Sequence, residues 1–529
     1  MRISTQQYFE TSSTKYQENY SSVVKAQDQA SSGVRVQTAA DDPVAAARLL
    51  MLQQQKDMLG QYNTNIDTLK NSLQTEDSVL QNINTAIQRA SELALKAGNV
   101  GISDADRKST AAEIGALEDQ IMGLLNTKDA SGNYLFSGSK TDTPPYTRNN
   151  DGTYTYQGDD TALNLRVAEN LSVPMGDTAK KMLETSANTG RTQATPVLVP
   201  PAVDDGKVTI SAGLIASGVD VKFADGQPYT LKFLSSTQYT VSDSTGKDIT
   251  SEIAGNGTFD STKEGGSTIS LRGVKFDIGL NLGKDVLPGA PSDALVKDRE
   301  FSLALKPDSF SVSRTASNPS AAQLTGGSVS DPTAYASTFP NAGLVVKFGA
   351  GGSYNVYAQP YTADSKSIAS DTLAAGATSI TVAGVTLGVT TAPAPADGDQ
   401  FLVGATSNKN ENVLDTLGRL RRTLETPSDG NPAAQKELKD VVARSIGNLT
   451  NAYSQIDQVR GDIGARLNTL DIQSAENTSL SLANATTMSS LGNVDFAEAA
   501  INLSLQQTML QASQLAFVKI SQLSLFNKM

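Results

Sequence analysis

Apolar residues recur at steps of three and four along both ends of this 529-residue chain, and the recurrence disappears in between. From Leu52 the positions Leu52, Gln55, Leu59, Tyr62, Ile66, Leu69, Leu73, Glu76, Leu80, Ile83, Ile87, Ala90, Ala94 and Ala97 keep that step without a slip. Such an alternation of three and four is the mark of a coiled-coil seam. A second run, Leu438, Val442, Ser445, Leu449, Ala452, Ile456, Val459, Ile463, Arg466 and Leu470, supplies the partner stripe that the first requires. At 1.5 Å per residue the first helix alone would reach about 69 Å, so a rod is expected.

Shorter stripes flank these two. Phe9, Tyr16, Tyr20, Val23, Gln27 and Ala30 predict an amphipathic helix over residues 1–31, ended at Gly33, which takes the left-handed cap conformation without penalty. Asp42-Pro43 opens the next helix, since Asp is a good N-cap and Pro suits the first helical position, and Gly98-Asn99 stops it. A third begins at Ser103 with Asp106 three residues on, in the manner of a capping box. Beyond Leu470 the step continues through Leu480, Leu491, Val494, Ile501, Leu505, Ala512, Leu515 and Phe526, with a joint at Gly492. A second stripe, Leu503, Leu510 and Phe517, widens the apolar surface of the last helix, which therefore needs contacts on more than one side.

Between the helical ends the period changes to two. Asn149 to Gly152 is a hairpin signal, and Tyr154, Tyr156, Leu163, Leu165 and Val167 alternate as a small β-element. Residues 190–403 are strand-like and carry an internal duplication: Gly218 to Tyr229 matches Gly343 to Tyr354, Ser267 to Phe276 matches Thr378 to Leu387, and Asp298 to Phe301 matches Gly398 to Phe401. Two related modules, 205–305 and 340–403, are expected. The fold class is α+β: a long antiparallel helical coiled-coil rod formed by both chain ends, with inserted all-β modules in the middle. The expected domains are terminal helices (1–42 and 485–529), a helical rod with a small β-element (43–190 and 404–484), and a β-rich outer region (191–403).

Composition narrows the function. With no Cys, His or Trp, the chain lacks thiol nucleophiles, disulfides, imidazole bases and the commonest zinc and haem ligands, so neither an enzyme nor a cofactor or metal site is expected. A net charge of -12 disfavours nucleic acid as a partner. Charge is also uneven: residues 1–40 carry four basic and three acidic groups and residues 485–529 two of each, so the body holds the remaining -13. Nearly neutral ends oppose little repulsion to the close approach of many copies. The opening stretch lacks the apolar core of a Sec signal, and no run approaches 18 apolar residues, so no membrane insertion is expected. Both termini have apolar stripes and no local core, so they are expected to be largely disordered in the monomer and to become ordered as neighbouring copies bury their outer stripes. The competing reading is a monomeric four-helix bundle that the termini complete.

Gln29-Ala-Ser31-Ser32-Gly33-Val-Arg35-Val36, followed by Asp41-Asp42-Pro43, resembles the N-terminal signature of bacterial flagellins and hook-associated proteins. Met1 to Thr5, Gly132-Asn-Tyr134-Leu-Phe136-Ser-Gly138, Gly464 to Asn468, Leu510 to Ser513 and Leu523 to Phe526 look like the hook-filament junction members of that family. The likeness covers about 1–185 and 404–529. It implies a structural protein exported by the flagellar type III apparatus to the extracellular flagellum and stacked as a ring of copies of itself. Its implied partners are the first hook-associated protein, flagellin and a flagellar export chaperone that holds the C-terminal helix. Assembly and chaperone contacts would fall on Phe9, Tyr16, Tyr20, Val23, Val494, Ile501, Leu503, Leu505, Leu510, Leu515, Phe517 and Phe526. Flagellin itself is the nearest rival, and a surface adhesin or fibre protein the rival of another class.

The motif residues also have plain structural readings. Asp41 and Asp42 read as a helix cap before Pro43 rather than a metal pair. Gly33 and Arg35 read as a helix-turn with a solvated or inter-subunit Arg. Tyr134 and Phe136, at period two beside Gly138, read as a strand that anchors the β-element. Asp159-Asp160 reads as an isolated acidic pair in a loop.

Overall fold

The computed structural model describes residues 5–526 apart from 100, 150–151, 199–203, 216–219, 264–265, 283–289, 341, 363 and 407. The stretch Met1-Arg-Ile-Ser of the family motif lies outside the described residues. In chain order, α1 (Thr5–Ser32), α2 (Pro43–Ala97) and α3 (Asp104–Leu125) come first, then β1 (Tyr146–Arg148), β2 (Tyr154–Tyr156), β3 (Asn164–Ala168) and β4 (Leu171–Pro174). A first module holds β5 (Thr192–Val197), β6 (Val208–Ile210), β7 (Leu214–Ile215), α4 (Asp220–Ala224), β8 (Tyr229–Phe233), β9 (Tyr239–Ser242), β10 (Ser267–Leu271), β11 (Val274–Leu280), α5 (Ala290–Val296) and β12 (Glu300–Leu305). A second holds β13 (Ser309–Arg314), β14 (Leu324–Val329), α6 (Pro332–Thr338), β15 (Leu344–Phe348), β16 (Ser353–Ala358), β17 (Ala369–Thr372), β18 (Ser379–Val382), β19 (Val385–Val389) and β20 (Gln400–Thr406). Then follow α7 (Val413–Glu425), α8 (Pro432–Gly492) and α9 (Phe496–Phe526).

Two compact units result, one of residues 1–74, 163–175 and 462–529, the other of 75–162 and 176–461. The breaks after residues 74 and 461 fall inside α2 and α8. In the first unit Tyr62, Ile66, Leu69 and Leu73 of α2 are buried, as are Ile463 and Leu470 of α8. Gln55 meets Asn484 at 3.4 Å and Lys70 meets Asp471 at 2.7 Å, so partner numbers fall as α2 advances and the pair is antiparallel. The hairpin β3–β4 is tied to these helices by Asn65, which donates to the Arg166 carbonyl (2.7 Å), and by Asn477, which donates to the Val167 carbonyl (3.0 Å).

In the second unit Leu80, Ile83, Ile87, Ala90, Ala94 and Ala97 are buried, with Leu438, Val442, Leu449, Ala452, Ile456 and Val459. The buried face of α2 widens there to Val79, Ala86 and Leu93. Glu118 of α3 is almost wholly buried and serves two elements at once: it accepts from the Tyr154 hydroxyl on β2 (2.6 Å) and from Arg421 on α7 (2.9 Å). A buried carboxylate needs such partners to offset its desolvation. The predicted small β-element is two separate hairpins, β1–β2 and β3–β4, assigned to different units.

Each β-module pairs two antiparallel sheets around one apolar core. The first orders its strands β5-β12-β8-β9 and β10-β11-β6, and the second β13-β20-β15-β16-β17 and β14-β19-β18. Taken in chain order, the two modules follow the same path, with α4 standing where α6 stands. Two of the sequence matches fall on equivalent places: the hairpins β10–β11 and β18–β19, each turning through two positive-φ residues (Arg272-Gly273 and Ala383-Gly384), and the strands β12 and β20. The third does not. Sheet order equates β8 with β15, so Lys232-Phe233 and Tyr239 answer to Lys347-Phe348 and Tyr354, whereas the sequence match set Tyr229 against Tyr354. Both modules also start earlier than expected, at Thr192 and Ser309.

Candidate functional site

α1 and α9 lie antiparallel in the first unit and meet along a narrow seam. On α1 the inward positions are Ser12, Tyr16, Asn19, Val23, Ala26 and Ala30; on α9 they are Ala499, Leu503, Gln506, Leu510, Ser513 and Phe517, all buried or half-buried. Both sets keep the three-four step. The Tyr16 and Phe517 rings stack with centroids 6.0 Å apart, and the Asn19 amide donates to the Ser513 hydroxyl.

This arrangement reverses the expected ranking of stripes. Leu503, Leu510 and Phe517, read as the secondary stripe, form the intramolecular seam. Ile501, Leu505 and Leu515, read as its continuation, are 71%, 52% and 67% exposed. Tyr20 likewise points outward at 56% exposure, and Asn19 takes the place expected for it. The cause is that α9 carries apolar residues all round, so periodicity alone admits both faces, and the contacts with α1, the Tyr16–Phe517 stack and the Asn19–Ser513 bond, mark the inward one. Val494 is half-buried in the link before α9. The side chains of Phe9 and Phe526 lie outside the described residues.

An elbow joins this helix pair to α2 and α8. Gly33, at φ +72°, ends α1, and its carbonyl accepts from the Val494 amide at 2.9 Å. The Arg35 amide donates to the Gly492 carbonyl (2.6 Å), and its guanidinium donates to the Leu491 carbonyl (2.8 Å) and pairs with Asp42 (3.3 Å). Arg35 is therefore an intrachain tie at the C-terminus of α8, where a cation is favoured, and its side chain stays exposed to solvent beside these contacts. Asp42 caps α2 by accepting from the Ala45 amide (3.0 Å), while Pro43 takes the first helical position. Asp41 is not part of the cap. It closes the loop instead, accepting from the Gln37 and Thr38 amides (3.1 and 2.8 Å) and pairing with Lys25. That lysine, with the Thr38 amide, holds the Asp41 carboxyl at about 2, and the Ala45 amide and Arg35 lower Asp42. Ser31 and Ser32 donate back to the Asp28 carbonyl, and Ser32 accepts from Gln37 (2.8 Å).

The remaining motif residues belong to the second unit. Phe136 is fully buried, and its carbonyl accepts from the Tyr156 hydroxyl (3.1 Å) and the Ala179 amide (3.0 Å). Lys128 covers the Tyr134 ring at 4.5 Å. The segment is a pair of turns rather than the expected strand, with a single bridge from Tyr134 to Lys128, because Gly132 and Gly138 both sit at positive φ. A side chain at Gly138 would overlap the carboxylate and carbonyl oxygens of Asp159. Asp159 and Asp160 are not isolated: Asp159 accepts from the Ser139 amide (2.8 Å), and Asp160 pairs with Lys180 (2.7 Å). No helix among the described residues is long and apolar enough to cross a membrane.

Residues 3–141 match the bacterial flagellin N-terminal helical region and residues 446–527 the bacterial flagellin C-terminal helical region. Both ends of this chain are thus similar to the helical regions of bacterial flagellins. The flagellar hook-associated protein 3 of Salmonella typhimurium is 33% identical over 182 residues, 34% of this chain and 56% of that protein. A flagellin of Bacillus subtilis is 33% identical over 128 residues, 24% of this chain and 42% of that protein. The chain thus spans about half the length of the curated relatives it matches. In fold, it is similar to the flagellar hook associated protein-3 of Legionella pneumophila, with a TM-score of 0.50 and 19% identity over 83% of this chain and 98% of that one. The flagellin-type ends hold the helix pair and the elbow, so the motif residues read from sequence fall where the family likeness falls.

Proposed function

We propose that the chain is a structural component of the bacterial flagellum that forms the junction between hook and filament, a hook-associated protein 3. The observation that carries this reading is the 182-residue match to the Salmonella typhimurium protein of that name, longer than the match to flagellin. On this reading α1 and α9 build the axial core from a ring of copies, gaining full order as neighbours cover Tyr20, Ile501, Leu505 and Leu515. A seam that holds Ser12, Asn19, Gln506 and Ser513 leaves little apolar area inside one copy, which fits helices that need neighbours. The first hook-associated protein would lie on one side and flagellin on the other, and an export chaperone would cover α9 before secretion to the cell exterior. The mechanism is packing, with no catalytic step.

A deletion strain supplies the test. Loss of the junction should release unpolymerised flagellin into the medium, and this chain should restore attached filaments. Deletion that leaves filaments attached, or abolishes flagellin altogether, would overturn the reading, the latter in favour of flagellin itself.

A further inference from the structure

Beside the elbow, the start of α2 and the end of α8 enclose a groove of about 600 Å³ within the first unit. Val34, Val36, Leu49, Leu50 and Met488 give it an apolar floor edged by polar residues such as Gln53 and Asn493, and Leu50 stands 62% exposed. Lys56 is its only charged lining residue, and that ammonium makes no ion pair among the described residues. The same unit carries a matching surface. The outward stripe of α9 begins with Glu498, then Ile501 and Leu505 at three and seven residues on, all exposed. Glu498 is the only carboxylate of α9, and its side chain too has no partner among the described residues.

We infer that the groove of one copy receives the Glu498–Ile501–Leu505 face of α9 from a second copy, with Glu498 seated on Lys56. An amphipathic helix laid in an apolar groove is a recurrent recognition mode, and a groove of this volume accepts two or three aliphatic side chains. The lone opposite charges fix the direction in which the helix lies. Donor and acceptor are different surfaces of the same chain, so the contact is head-to-tail and repeats from copy to copy, as a ring or helical stack requires. This inference rests on the junction reading and names the inter-copy contact within it.

The test is a charge exchange in the full-length chain, expressed in a strain deleted for its own junction protein. Lys56→Glu and Glu498→Lys alone should each raise the fraction of flagellin left unpolymerised in the medium roughly fivefold, since each sets like charges together at every repeat. The double exchange should bring it back to within about twofold of the unsubstituted chain. Far-UV circular dichroism of each variant should not change, because both side chains are exposed and unpaired, and flagellin release is compared at equal amounts of exported variant. Single variants that behave like the unsubstituted chain, or a double variant no better than the singles, would overturn the contact while leaving the junction reading intact. Failure of the unsubstituted chain to restore filaments would instead strike at that reading.

Discussion

Gly138 and Asp41 show what single residues contribute to the family motifs. At φ +70° a β-carbon at 138 is strained, and here it would also collide with Asp159. Gly138→Ala should therefore cost about 1–3 kcal/mol, read as a lower urea midpoint. Asp41 behaves differently, because its contribution depends on pH. Its folded value near 2 lies below the ordinary 3.8, so the stabilisation is complete above that ordinary value and is lost as pH falls through about 2. Pepsin cleavage between residues 34 and 40 should rise steeply over that interval, and Asp41→Asn should cleave readily at pH 4 already. Sequence exposed part of this. Gly33, Asp42 and Pro43 carry local cap chemistry and were legible, whereas the tie from Arg35 to Leu491 spans 456 residues and leaves no local trace.

Among elements, the α2 and α8 seam was the most legible, since from Tyr62 to Ala97 every residue of the first stripe is buried. Ile83→Ala, at a position with no exposure, should lower stability by about 2–5 kcal/mol in urea unfolding. α9 was the least legible, for the reason its two faces give: both are apolar, and the partner chooses. The two faces should now separate by experiment. Leu510→Ala should loosen the α1 contact and increase amide hydrogen exchange in both helices of the isolated chain, whereas Ile501→Ala should leave exchange unchanged and weaken junction assembly. In the β-modules, hairpin turns and the Phe301 and Phe401 strands were found from sequence because turn chemistry and alternation are local. The shift of β8 against β15 arose because a tyrosine stands at or next to the start of both β8 and β16, and hydrogen-bonded sheet order distinguishes them.

At the scale of the whole molecule, the chain reaches its modules and returns at nearly one place. The Asn188 amide donates to the Lys409 carbonyl (2.9 Å) and the Lys306 amide to the Arg191 carbonyl (2.6 Å). Asn408 closes the second module by donating through its backbone to Asp308 (3.0 Å) and through its side chain to the Pro307 carbonyl (2.5 Å). Deleting residues 309–406 and joining the ends with a short Gly-Ser link should leave the helical content of the remaining chain intact by circular dichroism, and its thermal transition cooperative. Viewed from α3, α7 and α8, everything from Arg191 to Asn408 is a single excursion whose two feet touch. Doubling the length of such an excursion adds only about 0.6 kcal/mol of closure entropy. A lineage could therefore acquire a second module, or shed it, almost free of consequence for the helices beneath.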